Sequence, residues 1–178
     1  MASISQRRLF LDYQTLVESP PDNIIASPYK DDIYTWAAII IGPADTPWDG
    51  AIIKIHLRFT IEYPNKPPTL RVLTRLFHPN IYNDGRICLD LLADKWSPAL
   101  GVSSILLSVQ SLLTDPNPLS PANSEAATLY VNDRHAYNLR VSACARQSWE
   151  EAVEPPYSDL LHEVLDEAEG DDEEGKKT

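Results

Sequence analysis

The sequence predicts one α+β domain, in which a helix precedes a four-stranded antiparallel sheet and further helices follow a long irregular segment. Three observations lead to this prediction: an amphipathic stripe near the N-terminus, alternating apolar and charged residues over 53–59, and an almost wholly apolar helical pattern after residue 102. The chain has 178 residues, enough for one domain with a full core. We expect that domain to span residues 1–153 and an acidic tail to follow over 154–178.

An opening helix is predicted by its cap and by its apolar spacing. Ser3 and Gln6 stand three residues apart, as in a capping box that satisfies free N–H groups at a helix start. Four apolar side chains then recur at helical spacing: Leu9, Tyr13, Leu16 and Val17. The helix should end before Pro20, because proline cannot continue a helix.

The next segment is predicted to form antiparallel strands. Residues 33–41 are rich in β-branched and aromatic side chains, and residues 69–73 form a shorter strand after several prolines. Between them, apolar and charged residues alternate over 53–59. Such alternation predicts a meander whose sheet has one face on the core and the other in water.

Helices are predicted again after the irregular segment 77–98. A central helix starts at Ser103 and is apolar on nearly all sides, which indicates burial between the sheet and later helices. Residues 115–118 break it, and two more helices are expected over 124–132 and 133–153.

Cys88 is the candidate nucleophile. It lies in the irregular segment just after the turn signal 83–85, so its thiol should be exposed. The chain has two cysteines and no CxxC pair, which argues against a zinc cluster or a disulfide framework. A free, accessible cysteine in a reducing compartment is typical of a nucleophile. Arg86 either favours the thiolate by its charge or is an ordinary surface residue.

Three other residues are assigned to the core. Cys144 recurs at helical spacing with apolar neighbours, and a buried cysteine usually only packs. Trp36 and Trp149 are expected to be core or semi-buried, since they are large aromatic side chains.

The charge distribution excludes several classes of function. The net charge is −11, but residues 154–178 hold ten acidic and two basic residues, so the remainder is nearly neutral. We therefore expect no direct nucleic-acid binding. No apolar run approaches the roughly 20 residues that span a bilayer, and no histidine has partner cysteines at metal-ligand spacing. The acidic tail favours basic proteins as partners.

Five fragments, taken together, indicate a known family. In chain order they are GPADTPWDG, YPNKPP, HPNIYNDGRICLD, KWSPAL and DPNPLSPAN. With them the chain resembles the ubiquitin-conjugating enzymes over residues 4–150. The resemblance implies the ubiquitin-conjugating fold and a transferase that holds ubiquitin as a thioester on Cys88 and passes it to a substrate lysine. It implies no cofactor in this chain, because the activating enzyme consumes the ATP.

The same resemblance assigns roles around Cys88. Asp90 and Ser120 match the positions that orient the incoming lysine, although many family members carry an acidic residue where this chain has Ser120. Asn80 matches the position that either donates to the tetrahedral oxyanion or holds the cysteine loop. Three further residues are assigned structural roles near the site: His78, Pro79 and Tyr82.

Partner contacts are implied for the first helix and two loops. Arg7 and Arg8 match positions that meet both the activating enzyme and RING-type ubiquitin ligases; without the resemblance, an arginine pair is as readily a solvated face. One ligase loop contains Asn65, where many members carry an apolar residue. The other loop comprises Trp96, Ser97, Pro98 and Ala99. Protein substrates with an acceptor lysine complete the expected partners.

Within the family, the fragments NDGRICLD, DPNPLSPANSEAA and YNLRVSACARQSW are most similar to the subfamily that acts in DNA repair and monoubiquitinates a core histone. Cytoplasmic and nuclear localisation is the corresponding expectation. In the tail, Ser158 is predicted to cap a short helix with an apolar stripe. The stripe comprises Leu160, Leu161, Val164, Leu165 and Ala168. This helix either docks on the body or on a basic partner such as histone, or it is a solvated, fraying segment.

Three rival functions are weighed against this one. The first is a catalytically silent relative that acts as a scaffold, against which the retention of Cys88, Asn80 and Asp90 argues. The second is an enzyme for another modifier such as SUMO, whose conjugating enzyme is strongly basic. The third is a cysteine hydrolase, which would require His78 to act as a base, whereas its place beside Pro79 in a turn favours backbone hydrogen bonding.

Overall fold

The computed structural model describes residues 1–151 and 153–163. Its first element is helix α1 (Ile4–Glu18), which begins with the predicted capping box. The Gln6 N–H donates to Ser3 Oγ at 3.2 Å, and the Ser3 N–H donates to Gln6 Oε1 at 2.8 Å. Leu9 and Leu16 are buried as predicted, whereas Val17 is exposed, so the apolar stripe is narrower than expected.

The sheet is an antiparallel meander of four strands in the order β1-β2-β3-β4. Its strands are β1 (Ile24–Tyr29), β2 (Asp32–Ile41), β3 (Ile52–Arg58) and β4 (Thr69–Val72). The predicted meander is confirmed, but β1 could not be placed from its residues. It contains Pro28, which removes a ladder donor and is tolerated here because β1 is an edge strand.

Three helices follow the irregular segment: α2 (Val102–Thr114), α3 (Ser124–Asn132) and α4 (Arg134–Glu150). Asn123 caps α3 through a bond from the Ala126 N–H, and Asp133 caps α4 through a bond from the Ala136 N–H. These caps explain why α3 and α4 are two helices rather than one continuous helix. In the described residues no helix has the length and apolar character needed to cross a membrane.

The main core lies between the helices and one face of the sheet. Helices α1, α2, α3 and α4 each contribute to it, and the sheet supplies Trp36 and the inward side chains of β3. Trp36 is buried as predicted, but the assignment of Trp149 to the core is wrong: its side chain is 63% exposed. One position earlier on α4, Ser148 is the buried residue, so Trp149 points outward and lies over Gly50. Cys144 is half-buried against the core.

The other face of the sheet is not left in water, as the alternation had predicted. Residues 153–163, here called the C-terminal segment, pack across it and bury Ala37, Ile39 and Ile52 under Tyr157 and Leu160. A second, smaller core therefore forms on this side. It explains why Ala37 and Ile39 are apolar on the outward side of β2.

A hydrogen bond fixes the C-terminal segment to the sheet, since the Tyr157 hydroxyl donates to the carbonyl of Ile55 at 3.1 Å. The predicted tail helix exists over 157–163, but it begins before Ser158, which is therefore not its cap. Instead, the carbonyl of Glu154 accepts bonds from the first helical N–H groups. The rest of the predicted stripe, namely Val164, Leu165 and Ala168, lies outside the described residues.

Candidate functional site

Cys88 lies on the surface at the end of an ordered loop. Its side chain is exposed, as predicted. The preceding turn depends on Gly85, whose φ of 85° is in the left-handed region, where a Cβ would also come within 2.0 Å of the carbonyl oxygen of Val72. Beyond that turn, the Cys88 N–H donates to the carbonyl of Asn80 at 2.9 Å. The sulfur is thus presented to solvent by a backbone that is itself anchored.

Asn80 joins the Cys88 segment to the loop that follows α2. Its side chain is buried, and its Nδ2 donates to the carbonyls of Asn117 at 2.7 Å and Ser120 at 3.3 Å. Its Oδ1 accepts the N–H of Asn117 at 2.8 Å. Both amide hydrogens are engaged, so in this geometry Asn80 braces the loop rather than offering a free donor. Between the two roles implied for Asn80, the contacts favour the brace.

Pro79 and Ser120 belong to the same junction. The carbonyl of Pro79 accepts the N–H groups of Ala122 at 2.7 Å and Asn123 at 3.0 Å, which clamps the loop before α3 against the turn. Ser120 has an exposed side chain on this loop. Its main chain is linked to that of Cys88 through Asn80. The Asn80 side chain donates to the carbonyl of Ser120, and the Asn80 carbonyl accepts the N–H of Cys88.

His78 is a buried structural residue. Its Nδ1 accepts the N–H of Asn80 at 3.0 Å, so the proton is on Nε2, which donates to the carbonyl of Leu112 at 2.7 Å. Burial lowers the pKa of His78 to about 4. The hydrogen bond to Leu112 raises this pKa, but by less than burial lowers it. Since both ring nitrogens are engaged with the backbone, His78 is not available as a base for Cys88, and the cysteine-hydrolase interpretation loses its histidine.

The residues around the sulfur carry charges that are paired locally. Arg86 Nε bonds Asp84 at 2.8 Å, and its guanidinium lies over the ring of Tyr82 at 4.7 Å. Asp84 therefore offsets the charge that was considered as a source of thiolate stabilisation. Hydrogen bonding with Cys88 raises the pKa of the exposed Tyr82.

Asp90 begins a short 3₁₀ turn, Asp90–Leu92, and pairs with Lys95. The Lys95 Nζ lies 2.5 Å from Asp90 Oδ2, and the hydrogen bond from Lys95 holds the pKa of the Asp90 carboxyl below its usual range. Sequence reasoning did not identify Lys95, because nothing in the spacing of Asp90 and Lys95 distinguishes a turn that folds back from an extended chain.

A shallow groove of about 330 Å³ starts beside Cys88. It is lined by Leu89, Asp90, Leu107, Ser108, Ser111, Leu112 and Asp115. The exposed Leu107 supplies an apolar wall from α2, and the serines supply polar groups along the opening.

The two predicted ligase loops lie next to each other. Trp96 Nε1 donates to the carbonyl of Pro64 at 3.0 Å, and this bond joins them. Asn65 is exposed on one loop. On the other loop Ser97, Pro98 and Ala99 are exposed. The two loops around Asn65 and Trp96 therefore form one continuous surface.

Arg7 and Arg8 lie in different surroundings, and their contacts with partner proteins stay a prediction. Arg7 is exposed, whereas Arg8 points inward and donates to the carbonyls of Pro98 at 2.6 Å and Leu100 at 2.7 Å. Arg8 also bonds Asp12, which accepts a hydrogen bond from the buried Tyr63. Arg8 thus holds the second loop to α1 and leaves Arg7 as the arginine free to meet a partner. Sequence reasoning missed this cluster because Tyr63 lies 51 residues from Asp12 along the chain.

Among the described residues no group of three or more histidine, cysteine or carboxylate side chains is arranged to hold a metal ion.

Asn80→Ala should lower the free energy of unfolding by about 2–3 kcal/mol, because it removes three part-buried hydrogen bonds that join two segments of the main chain. Urea unfolding measures the loss. Asn117→Ala is the matched control, since Asn80 bonds only to the main chain of Asn117, and it should cost about 1 kcal/mol or less. An Asn80→Ala protein as stable as the wild type would rule out the brace.

His78 should make stability depend on pH between its ordinary pKa of 6.5 and its folded pKa of about 4. In that window the unfolded chain binds a proton that the folded chain excludes, so stability falls as the pH falls, by up to about 1.4 kcal/mol per pH unit. Urea unfolding at several pH values measures the slope. His78→Gln should flatten it, and His135→Gln, an exposed change on α4, should not. An unchanged slope in His78→Gln would contradict the assignment.

Comparison of the sequence with known proteins shows which family the chain belongs to. The family model described as "Ubiquitin-conjugating enzyme" matches residues 8–145. The chain is 51% identical over 149 residues to "Ubiquitin-conjugating enzyme E2 1" of Caenorhabditis elegans, covering 84% of this chain and 78% of that protein. It is 49% identical over 149 residues to "Ubiquitin-conjugating enzyme E2 3" of Arabidopsis thaliana, covering 84% of this chain and 99% of that protein. The chain with this exposed cysteine therefore belongs to the ubiquitin-conjugating enzyme family.

Proposed function

We propose that Cys88 is the residue that carries ubiquitin as a thioester. The observation that carries this proposal is an exposed thiol on an anchored backbone at the start of an open groove. A thiolate at Cys88 attacks the carbonyl carbon of the thioester held by the activating enzyme. A new C–S bond forms, the old C–S bond breaks, and the sulfur of the activating enzyme leaves as a thiolate. Cysteine suits this exchange because its thiolate is intrinsically nucleophilic at neutral pH.

The groove beside Cys88 is the proposed seat of the ubiquitin C-terminus. An acyl group bound to the sulfur arrives as an extended peptide, and Leu89, the residue after Cys88, lines the groove. The apolar wall from Leu107 and the hydroxyls of Ser108 and Ser111 offer contacts to such a chain. Holding the donor in one orientation lowers the entropic part of the barrier for the second step.

The second step passes ubiquitin to a lysine, which must be neutral to attack. From a reference pKa near 10.4, deprotonation at pH 7 costs about 4.6 kcal/mol. Asp90 and Ser120 are proposed to orient this amine by hydrogen bonds. Asn80 acts as a positioning residue, because its bonds hold the loop that carries Ser120 and the backbone that carries Cys88.

A RING-type ligase is the proposed partner of the surface formed by the two loops around Asn65 and Trp96. The bond from Trp96 to Pro64 and the bonds from Arg8 to the second loop pre-organise this surface, which lowers the entropic cost of docking. Arg7 is exposed beside it and is proposed to meet both the ligase and the activating enzyme.

Histones in chromatin, in the context of DNA repair, are the proposed substrates. The support is the acidic character of residues 154–178, which complements a strongly basic substrate. This proposal places the enzyme in the nucleus as well as in the cytoplasm.

Incubation with activating enzyme, ATP and ubiquitin should give a band shifted by one ubiquitin on a non-reducing gel, and thiol reductant should remove it. Cys88→Ser should convert the adduct into an ester that resists the reductant. Cys144→Ser is the matched control, because Cys144 is half-buried and should not be needed for loading. If no adduct forms on the wild type, the chain is a silent scaffold or serves another modifier, and parallel reactions with other modifiers and their activating enzymes distinguish these two.

Truncation should separate the acidic tail from the C-terminal segment. Removal of 164–178 takes away seven acidic residues but leaves Tyr157 and Leu160 on the sheet. This variant should load normally and transfer ubiquitin to histones several-fold more slowly at low salt, since steering between opposite charges weakens. Removal of 154–178 should in addition reduce stability. Histone transfer at the wild-type rate by the shorter truncation would rule out the tail role.

A further inference from the structure

We propose that Lys95 is an acceptor site within this chain, to which the thioester on Cys88 transfers ubiquitin in cis when no other amine is supplied. The inference rests on the proposed role of Cys88. It arises from a contact that the loading reaction does not use, namely the ion pair between Lys95 and Asp90.

Backbone geometry places Asp90 on the same side as the sulfur. The intervening Leu89 is extended, with φ −128° and ψ 115°, so the side chains of Cys88 and Asp90 project to one face. In extended chain, residues two apart lie about 6.6 Å from each other. Lys95 Nζ lies 2.5 Å from the Asp90 carboxylate. We infer that rotations of the Lys95 side chain bring the amine from there to the thioester carbonyl.

The loop after Cys88 holds Lys95 at this point. The Lys95 N–H donates to the carbonyl of Asp90 at 3.0 Å, so the chain folds back on itself within five residues. The two side chains are 72% and 59% exposed, and such an exposed pair contributes little to stability. The amine is therefore kept nearby but is easily released for reaction.

The other lysines of the described residues lack this relation to the sulfur. Lys66 forms a similar exposed pair, but with Glu62 on the loop before β4. Lys54 pairs with Glu151 across the outer face of the sheet. Lys30 is exposed in the turn between β1 and β2. Among these four lysines, Lys95 is the one bound to a residue two positions from Cys88.

The transfer balances without a further reactant. The Lys95 ammonium loses one proton to solvent, and the neutral amine attacks the thioester carbonyl. The C–N bond forms as the C–S bond breaks, the amine loses its second proton, and the departing thiolate takes up one proton. The products are an isopeptide on Lys95 and a free Cys88 thiol, with one proton released overall.

Proximity offsets the low fraction of neutral amine. At a reference pKa of 10.4, about one lysine in 2,500 is neutral at pH 7, and Asp90 raises the pKa of Lys95 above its usual value. A group tethered at short range has an effective concentration in the millimolar range. With enzyme at about 1 μM, attack in cis therefore exceeds attack between molecules by about a thousandfold.

The test follows the loaded enzyme after ATP is removed. The protein is charged with lysine-free ubiquitin, aged without added amine, and divided between reducing and non-reducing gels. A reductant-resistant adduct of one ubiquitin should appear as the thioester disappears, with a rate constant that does not change when the enzyme is diluted tenfold. Mass spectrometry should place the diglycine remnant on Lys95.

Two variants make the outcome decisive. Lys95→Arg keeps the charge opposite Asp90 but cannot accept ubiquitin, so the resistant adduct should fall at least about tenfold while the thioester forms normally. Lys30→Arg is the matched control and should form the adduct as the wild type does. A remnant mainly on other lysines, an adduct that persists in Lys95→Arg, or a rate proportional to enzyme concentration would overturn the inference. If no reductant-sensitive band forms, the proposed function itself is overturned; a normal band that only hydrolyses overturns this inference alone.

Discussion

The site depends on the hydrogen bonds of one buried amide, that of Asn80. Its side chain binds the main chain at Asn117 and Ser120, and its own carbonyl receives the N–H of Cys88. Three pieces of irregular backbone, far apart in sequence, are thereby joined at a point from which water is excluded. A buried amide that lost these partners would be costly, so the geometry around it is strongly specified. His78 extends the same network to the end of α2 through the carbonyl of Leu112.

The surroundings of the sulfur are organised differently. Both ion pairs near it, Arg86 with Asp84 and Lys95 with Asp90, are exposed and therefore weak. The hydrogen-bond network around Asn80 is thus uncharged, whereas the ion pairs at the surface near Cys88 can exchange partners. This division suits a group that must accept an acyl chain from one protein and release it to another, because the backbone stays in place while the charged side chains rearrange.

Much of the fold was predictable because its signals are local. The capping box at Ser3, the alternation along β3 and the apolar pattern of α2 each occupy one short stretch of sequence. Cys88 was located for the same reason, since a turn and a free cysteine are adjacent in the chain. What failed depended on tertiary contacts. The burial of the outward face of β2 is caused by Tyr157 and Leu160, over a hundred positions away, and no periodicity within the strands records their presence.

The same limit applies to individual side chains. Arg7 and Arg8 are neighbours of identical chemistry, and only the fold shows that one meets backbone carbonyls while the other faces solvent. Trp149 shows the same limit on α4: Ser148 is buried, whereas the large aromatic ring of the next residue lies at the surface. A helix turns by about 100° per residue, so apolar content alone does not decide which neighbour is inside.

The pairing around the sheet has a consequence for self-association. A meander leaves two edges with unpaired backbone groups, and open edges recruit strands from other molecules. On one side Pro28 lacks a donor and the register shifts after it, which makes β1 a poor template. On the other side Arg86 bridges to Arg71 of β4, and the carbonyl of Gly85 accepts the N–H of Val72. The segment that carries Cys88 therefore also covers the β4 edge of the sheet. The same stretch of chain thus holds the reactive thiol and blocks edge-to-edge aggregation at this edge.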